Sequence, residues 1–473
     1  MRKLWIFILL LVPAAGRAQT RADSILIGRI LVAEDRRDSA AAEIATGMRH
    51  ADPRVRLIAR RALGRIRDPL FAARDSLPPV AALRAWPEPA WRLRYRALAT
   101  RGADCAALRA ALADPVWQVR LRAAGVAAAS CGADSAFVRV LARWVDALPA
   151  DTRRRAVGGV SWHAGAHAAV ALARIAPAQA RARLGRLATH SDWHVRLYAA
   201  RGAAVLADTA RLRTLARDRD GNVQEAAIDA LSKLVAHAAD DVYLAALHGD
   251  QAQAVRAAAI ALKGSTLPAA RAAADSLFHR WVRRANESER DVRVALLEVA
   301  GHPASDRPPA PRFDLPPDAV ALALGQEVRV RVTMSRDAGG GSFVVRLRGD
   351  VAPMMAARVL ALVRAGYYDG GNWHRVEPDF VVQGGGPGTN EYVGHPRYLR
   401  DELGTVAHPR GSVGMSTRGH DTGDAQWFIN LKDNPRLVRD YSVFAQVVEG
   451  MDVADGIMEG DVVASMRVVP GKY

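Results

Sequence analysis

One phrase recurs from about Asp23 to Ala300: an Asp, a few residues, Val-Arg, then an Ala-rich run. It reads DPRVRLIARRAL from Asp52, DPVWQVRLRAAGV from Asp114, SDWHVRLYAARGA from Ser191 and DGNVQEAAIDAL from Asp220. It returns as DQAQAVRAAAIAL from Asp250 and RDVRVALLEVAG from Arg290. Val195, Val223, Val255 and Val292 are spaced 28, 32 and 37 residues apart. A unit of that length makes one helix pair, too small to bury its own apolar face, so successive units must stack. The leading Asp or Ser is suited to cap a helix N-terminus. The Val and the later Ala and Leu positions then fall at i, i+3, i+4 and i+7 on one face.

This phrase resembles HEAT repeats, specifically the short kind with a D-P-x-x-V-R core. The resemblance covers roughly 250 residues and implies an α-solenoid with a surface suited to protein binding. The Arg after each Val (Arg56, Arg120, Arg196, Arg256, Arg293) has two readings. It could join neighbouring Asp residues in a ladder along the stack, or form a basic groove for acidic proteins or lipid headgroups. Cys105 and Cys131, the only two cysteines, lie about one repeat apart. They could staple adjacent helices in an oxidising compartment or remain buried thiols. His163 and His167 stand at i and i+4, but no nearby Cys or carboxylate cluster completes a metal site.

The opening MRKLWIFILLLVPAAGRAQT has the layout of a secretory signal: Arg2 and Lys3, an apolar run from Leu4 to Val12, then small residues before a cut near residue 18. That run is shorter than the ~20 apolar residues a membrane span needs. The mature chain is expected to be exported, periplasmic or secreted from a bacterium, without a transmembrane segment. The formal charge of +17 suggests nucleic acid at first sight. From Glu327 to Tyr473, however, 17 basic and 18 acidic residues balance, so the excess lies in the repeats. Export removes the usual polyanion, and no aromatic platform accompanies the charge, so nucleic acid is not the expected partner.

From Gly301 to Ala319 the run GHPASDRPPAPRFDLPPDA is rich in Pro and reads as a semi-stiff linker. Beyond it the period changes to two: EVRVRVTM, a Gly339-Gly340-Gly341-Ser342 turn, then SFVVRLRG, a hairpin signature. An amphipathic helix, APMMAARVLALVRAGYY, and short strands with Gly-rich turns follow.

The segment WHRVEPDFVVQGG, Trp373 to Gly385, resembles the signature of cyclophilin-type peptidyl-prolyl isomerases. GSVGMSTRGHDTGDAQWFI and YSVFAQVVEGMDV are similar to two further blocks of that family, in the expected order. The chemistry is intelligible from the residues themselves. Rotation about an X–Pro amide meets a barrier of about 18–20 kcal/mol from C–N double-bond character. A catalyst need only favour the twisted state, whose prolyl nitrogen is a better acceptor, so a fixed cation beside an apolar pocket suffices. The resemblance implies that Arg375 donates to that nitrogen and that Gln383 orients Arg375 or holds substrate backbone. It implies that Phe380, Val381, Phe428, Leu437 and Tyr441 line the proline pocket, while Ser416, Thr417 and Gln426 grip the peptide. Val381, Tyr441 and Arg436 depart from the residues many members carry. With Arg436 in place of an aromatic wall, a more open pocket is expected.

The expectation is therefore a multidomain α and β chain. It comprises a signal peptide (1–18), an all-α HEAT-like solenoid (19–300), a Pro-rich linker (301–319), and a cyclophilin-like antiparallel β-barrel capped by helices (320–473). The expected function is isomerisation of X–Pro bonds in exported proteins, with no cofactor and no metal. Proline-containing clients would be the substrates, and the solenoid would recruit clients or partners. The alternative is a non-enzymatic adaptor whose barrel binds proline-containing segments.

Overall fold

The computed structural model describes residues 20–68, 83–148, 161–303, 315–404 and 406–469. Residues 1–19, where a secretory signal is expected, and residues 304–314 of the Pro-rich stretch lie outside the described residues. The helical part runs through α1 (Arg21–Arg36), α2 (Ala42–Met48), α3 (Pro53–Arg67), α4 (Trp91–Ala97), α5 (Cys105–Ala111), α6 (Trp117–Val126), α7 (Ser135–Asp146) and α8 (Trp162–Ile175). It continues through α9 (Pro177–Ala188), α10 (Trp193–Val205), α11 (Thr209–Leu215), α12 (Gly221–Val235), α13 (Asp240–Leu247), α14 (Ala252–Leu262), α15 (Pro268–Arg283) and α16 (Arg290–Ala300). The recurring phrase does what its chemistry demands. Asp52, Asp192 and Asp220 each accept a hydrogen bond from the second backbone N–H of the helix that follows. The Val of each phrase (Val55, Val119, Val195, Val223, Val255, Val292) is buried. Asp114 and Asp250 do not cap as expected, since α6 and α14 start after Val116 and Gln251 without a side-chain cap bond, and at Ser191 the neighbouring Asp192 is the cap.

Helices α6, α8, α10, α12, α14 and α16 pack each on the next, with α7, α9, α11, α13 and α15 covering them. Leu, Val and many Ala residues fill the seams, because Ala lets helix axes approach closely. Arg56, Arg120 and Arg196 turn back onto carbonyls of the preceding inter-helix turn, His50, Asp114 and His190 respectively, at 2.6–2.7 Å. Arg196 also forks onto Asp218 at 2.7 and 2.8 Å, linking one phrase to the next. These three arginines therefore pin turns; of them Arg196 makes the Asp link that the ladder reading expects, while Arg56 and Arg120 are fixed to backbone carbonyls instead. Cys105 at the start of α5 is disulfide-bonded to Cys131, with Cα atoms 5.3 Å apart.

After α17 (Ala319–Ala323) come β1 (Arg329–Met334), β2 (Ser342–Leu347), α18 (Pro353–Arg364), β3 (Trp373–Val376), β4 (Val381–Gly384), β5 (Ser412–Met415), β6 (Trp427–Asn430), β7 (Val443–Glu449), α19 (Met451–Asp455) and β8 (Val463–Val469). They form one antiparallel sheet in the order β3-β4-β6-β5-β7-β2-β1-β8. The sheet curls until its edges meet at the Asn372–Val462 bridge. Inward side chains such as Val332, Phe343, Trp373, Val413 and Ile429 meet the apolar face of α18.

That core does not stop at the barrel. Ile27, Ile30 and Leu31 of α1 and Val55, Ile58 and Ala62 of α3 belong to the same buried cluster. Beneath them lies an ionic cluster whose members are all at most 5% exposed: Glu34, Arg61, Arg65 and Glu402. Arg65 donates to Glu34 at 2.7 Å, to the carbonyls of Leu403 and Val351 at 2.7 Å, and to that of Glu402 at 3.1 Å. Burial pushes the Glu34 carboxyl up, but the Arg61 and Arg65 guanidiniums outweigh it and hold the group below its ordinary range.

The remaining helices also face the barrel, at one recurring position. Gln118, second residue of α6, donates to the Asp455 carbonyl at 2.6 Å, and His163, second of α8, pairs with the Glu459 carbonyl at 2.7 Å. His194, second of α10, fills the space beside Gly460, whose φ of +81° and missing side chain allow the approach. Asn222, second of α12, bonds Thr389 at 3.1 Å, and Asp291, second of α16, pairs with Arg418 at 2.8 Å. The position next to each cap faces away from the inter-helix seam, so side chains there are free to carry specific polar contacts.

Candidate active site

The hairpin β3–β4 sets Arg375 opposite Gln383, and the next pairing sets Gln383 opposite Phe428 of β6. Residues directly opposite in antiparallel strands point to the same face, so register alone lines up the cation, the amide and the ring. Phe428 can lie across β5 because Gly414 stands opposite it: a Cβ there would come within 2.4 Å of the ring. The short helical turn at Pro435–Leu437 then brings Leu437 and Tyr441 to the same place.

Val381, Phe428 and Leu437 form a small buried apolar cluster, with Phe380 and Tyr441 packed against it. The rings of Phe428 and Tyr441 meet edge to face, centroids 5.5 Å apart. A cleft of about 390 Å³ opens over this cluster and is bordered by Arg375, Gln383, Ser416 and Thr417 as well. Nine of the ten side chains singled out in the sequence therefore border one cleft. Gln426 lies behind it, 2% exposed, donating to the Glu391 carbonyl at 3.2 Å. Its backbone carbonyl accepts from the Ser416 N–H at 2.9 Å, so it shapes the Ser416 wall.

Arg375 is held on several sides. Its Nε donates to Glu377 at 2.7 Å, and Nη1 reaches Glu391 at 3.2 Å and the Gln383 Oε1 at 3.4 Å. Gln383 completes the relay by donating to the Ser416 hydroxyl at 2.9 Å. The guanidinium thus keeps its orientation while 39% of its side chain stays exposed toward the cleft. Arg436, expected to leave the pocket open, instead stacks its guanidinium 4.3 Å from the Phe380 ring centre and supplies a wall of another kind.

Glu377, Glu391 and Arg418 border or brace the site and are absent from the sequence reading. Glu391 sits in an irregular loop without periodicity, and Arg418 acts through residues far away in the chain. That loop is fastened by the helices: Asn222 bonds Thr389, and Asn390 donates to the Asn222 carboxamide at 2.9 Å. Arg418 donates to the Glu391 carbonyl and to the Ser288 carbonyl, and pairs with Asp291. On the other side Arg96 of α4 and Lys432 grip Asp379 at 2.8 and 3.1 Å. Burial pushes the Asp379 carboxyl up, and these two donors outweigh it and hold it below its ordinary range. Asn222→Ala is expected to lower kcat/KM on a prolyl peptide roughly five- to thirtyfold, the effect of one or two lost hydrogen bonds of about 1 kcal/mol each. Asn222→Asp, which keeps one acceptor, should lose less in the same assay.

Beneath the pocket His408 is buried and pairs with the Tyr441 carbonyl at 3.1 Å. Burial is the main cause that brings its pKa down to about 4. An unfolded chain protonates this group near 6.5 while the folded protein does not, so its contribution to stability is lost as pH falls from 6.5 toward 4. His408→Gln should therefore lose less stability than the parent between pH 7 and 5, by about 2 kcal/mol in denaturant unfolding.

A guanidinium fixed beside a small apolar pocket, with an amide and a hydroxyl at hand, equips a protein to hold a ring and polarise it without covalent chemistry. Comparison with known proteins places the C-terminal region in a family. A family model described as cyclophilin type peptidyl-prolyl cis-trans isomerase/CLD matches residues 329–471. A Helicobacter pylori (strain ATCC 700392 / 26695) peptidyl-prolyl cis-trans isomerase is 34% identical over 130 residues, 27% of this chain and 80% of that protein. Peptidyl-prolyl cis-trans isomerase B of Bacillus subtilis (strain 168) is 36% identical over 133 residues, 27% of this chain and 92% of its own length. A crystal structure of a Cryptosporidium parvum cyclophilin type isomerase covers 31% of this chain and 99% of that one, at 21% identity and a TM-score of 0.28. The chain belongs to the cyclophilin-type peptidyl-prolyl cis-trans isomerases through its C-terminal region, and it is an isomerase.

Proposed function

We propose that this protein accelerates X–Pro isomerisation in exported, proline-containing client proteins, in a bacterial periplasm or outside the cell. The observation that carries the reading is the Arg375 guanidinium, oriented by Gln383 and its carboxylate partners at the mouth of the Phe380–Val381–Phe428–Leu437–Tyr441 pocket. The prolyl ring of a substrate would enter the pocket while Arg375 donates to the imide nitrogen as the amide twists. Ser416 and Thr417 would hold the peptide alongside, with Gln426 setting their backbone.

The N-terminal leader supports export, and so does the Cys105–Cys131 disulfide, since such bonds persist in oxidising compartments. No described helix is long and apolar enough to cross a membrane. The helices of residues 19–300 are read as a HEAT-like solenoid that recruits clients or partners beside the barrel of residues 320–473. The phrase spacing and the row-on-row helix packing support that reading. Residues 301–319 would then connect the two.

The whole chain, added in catalytic amounts, should speed both the cis-to-trans relaxation of a prolyl peptide and the proline-limited phase of a refolding protein. Rates at the uncatalysed level in both assays would overturn the reading. Export is checked separately by fusing residues 1–30 to a reporter that matures only outside the cytoplasm.

A further inference from the structure

We infer that this isomerase selects prolyl segments that carry a lysine or arginine near the proline, and that a groove between helices α10 and α12 and the barrel receives that side chain. The inference deepens the isomerase reading and rests on it. The groove has a volume of about 570 Å³ and shares two of its walls, Arg375 and Glu391, with the proline cleft. A peptide seated in the cleft therefore passes the mouth of the groove.

The lining is matched to a long aliphatic stem with a charged end. Trp193, Leu197, Val205 and Ala226 supply an apolar bed, and Val205 is 44% exposed. Above it Glu225 and Asp229 stand one turn apart on α12, facing the Glu391 side. Their cationic neighbours are Arg256, whose guanidinium is 3.7 Å from Glu225 and spread over the Tyr392 ring, 3.8 Å from its centre, and Lys233, which acts on Asp229; Arg201 and Arg375 line the groove as well. Burial, reinforced by Asp229, pushes the Glu225 carboxyl up to about 8, and burial raises Asp229 as well. Independently of these carboxylates, His374 lines the groove with both ring nitrogens buried and without a hydrogen-bond partner. Burial is the main cause that brings its pKa down to about 4, so it is a neutral imidazole able to accept from an incoming donor. Lysine and arginine have the required form, an apolar stem with a polar head that donates.

The test uses the whole protein and short prolyl peptides identical except for Lys, Ala or Glu at successive positions on either side of the proline. At one or more positions kcat/KM should favour Lys over Glu by about tenfold, equivalent to ~1.4 kcal/mol. Glu225→Gln combined with Asp229→Asn should bring that ratio close to one while the Ala peptide is isomerised at the parent rate. Asp229→Lys should turn the preference toward Glu. Equal rates for Lys and Glu peptides at every position, or a preference that survives the double variant, would overturn the inference. Failure to accelerate even the Ala peptide would strike the isomerase reading instead. Calorimetric binding of the same peptides would then decide the groove on the same Lys-to-Glu ratio.

Discussion

Arg375→Ala is expected to lower kcat/KM on a prolyl peptide by about ten- to a hundredfold while leaving the unfolding midpoint nearly unchanged. One charge-assisted hydrogen bond contributes about 1.5–3 kcal/mol, and every 1.36 kcal/mol is tenfold in rate, so the range follows from a single donor. The planar substrate offers that donor little, because its nitrogen lone pair is delocalised into the amide. Only as the bond twists does the nitrogen become an acceptor, so the loss should fall on kcat more than on KM. The side chain is more than a third exposed, and its partners Glu377 and Glu391 are exposed enough to be hydrated when it is removed. Stability should therefore change by less than about 1 kcal/mol. Arg375→Lys keeps the charge but loses the planar fork held between Glu377 and Gln383, and should retain only part of the rate. A full-rate alanine variant would mean that the pocket alone does the work.

Arg65→Met should cost stability on the order of 3–5 kcal/mol, because it breaks a buried ion pair from one side only. The substitution strands the buried Glu34 carboxylate with Arg61 as its remaining partner at 3.3 Å. It also leaves the Leu403, Val351 and Glu402 carbonyls without the donor that now serves them. Replacing Glu34 as well, by Leu, removes the stranded charge and should recover part of the loss. Denaturant unfolding of the parent and the two variants measures both steps. The damage should also reach the head of α18, because the Glu402 carboxylate accepts from the Met354 and Met355 N–H groups at 3.2 and 2.8 Å. Equal stability of parent and Arg65→Met would show that the helices α1 and α3 are not clamped to the barrel by this cluster.

Much of the site was legible because two kinds of sequence signal are local. The phrase with its cap, Val and Ala-rich face is decided within a dozen residues, so helices such as α3, α10 and α12 begin where the Asp predicts. The strand pairings that align Arg375, Gln383 and Phe428 follow from alternation within short segments, and the family resemblance supplied their order. Glu391 and Arg418 were out of reach for the opposite reason. Their positions depend on contacts with Asn222, Ser288 and Asp291, well over a hundred residues earlier in the chain. Nothing in the spacing of the repeats marks which face will be covered. Arg436 shows the same limit in miniature: a charged residue in an aromatic's place reads as a missing wall, yet its guanidinium finds the Phe380 face.

By itself the sequence determined the helix pairs, the change of period after the Pro-rich stretch, and most of the residues that border the cleft. Capping, alternation and apolar periodicity are short-range properties that a chain carries before it folds. The tertiary structure decided that helices from one end of the helical region to the other close on the barrel and fasten the loops around its cleft. That outcome depends on buried charges finding partners and apolar faces finding cover, and both are settled only when distant segments meet.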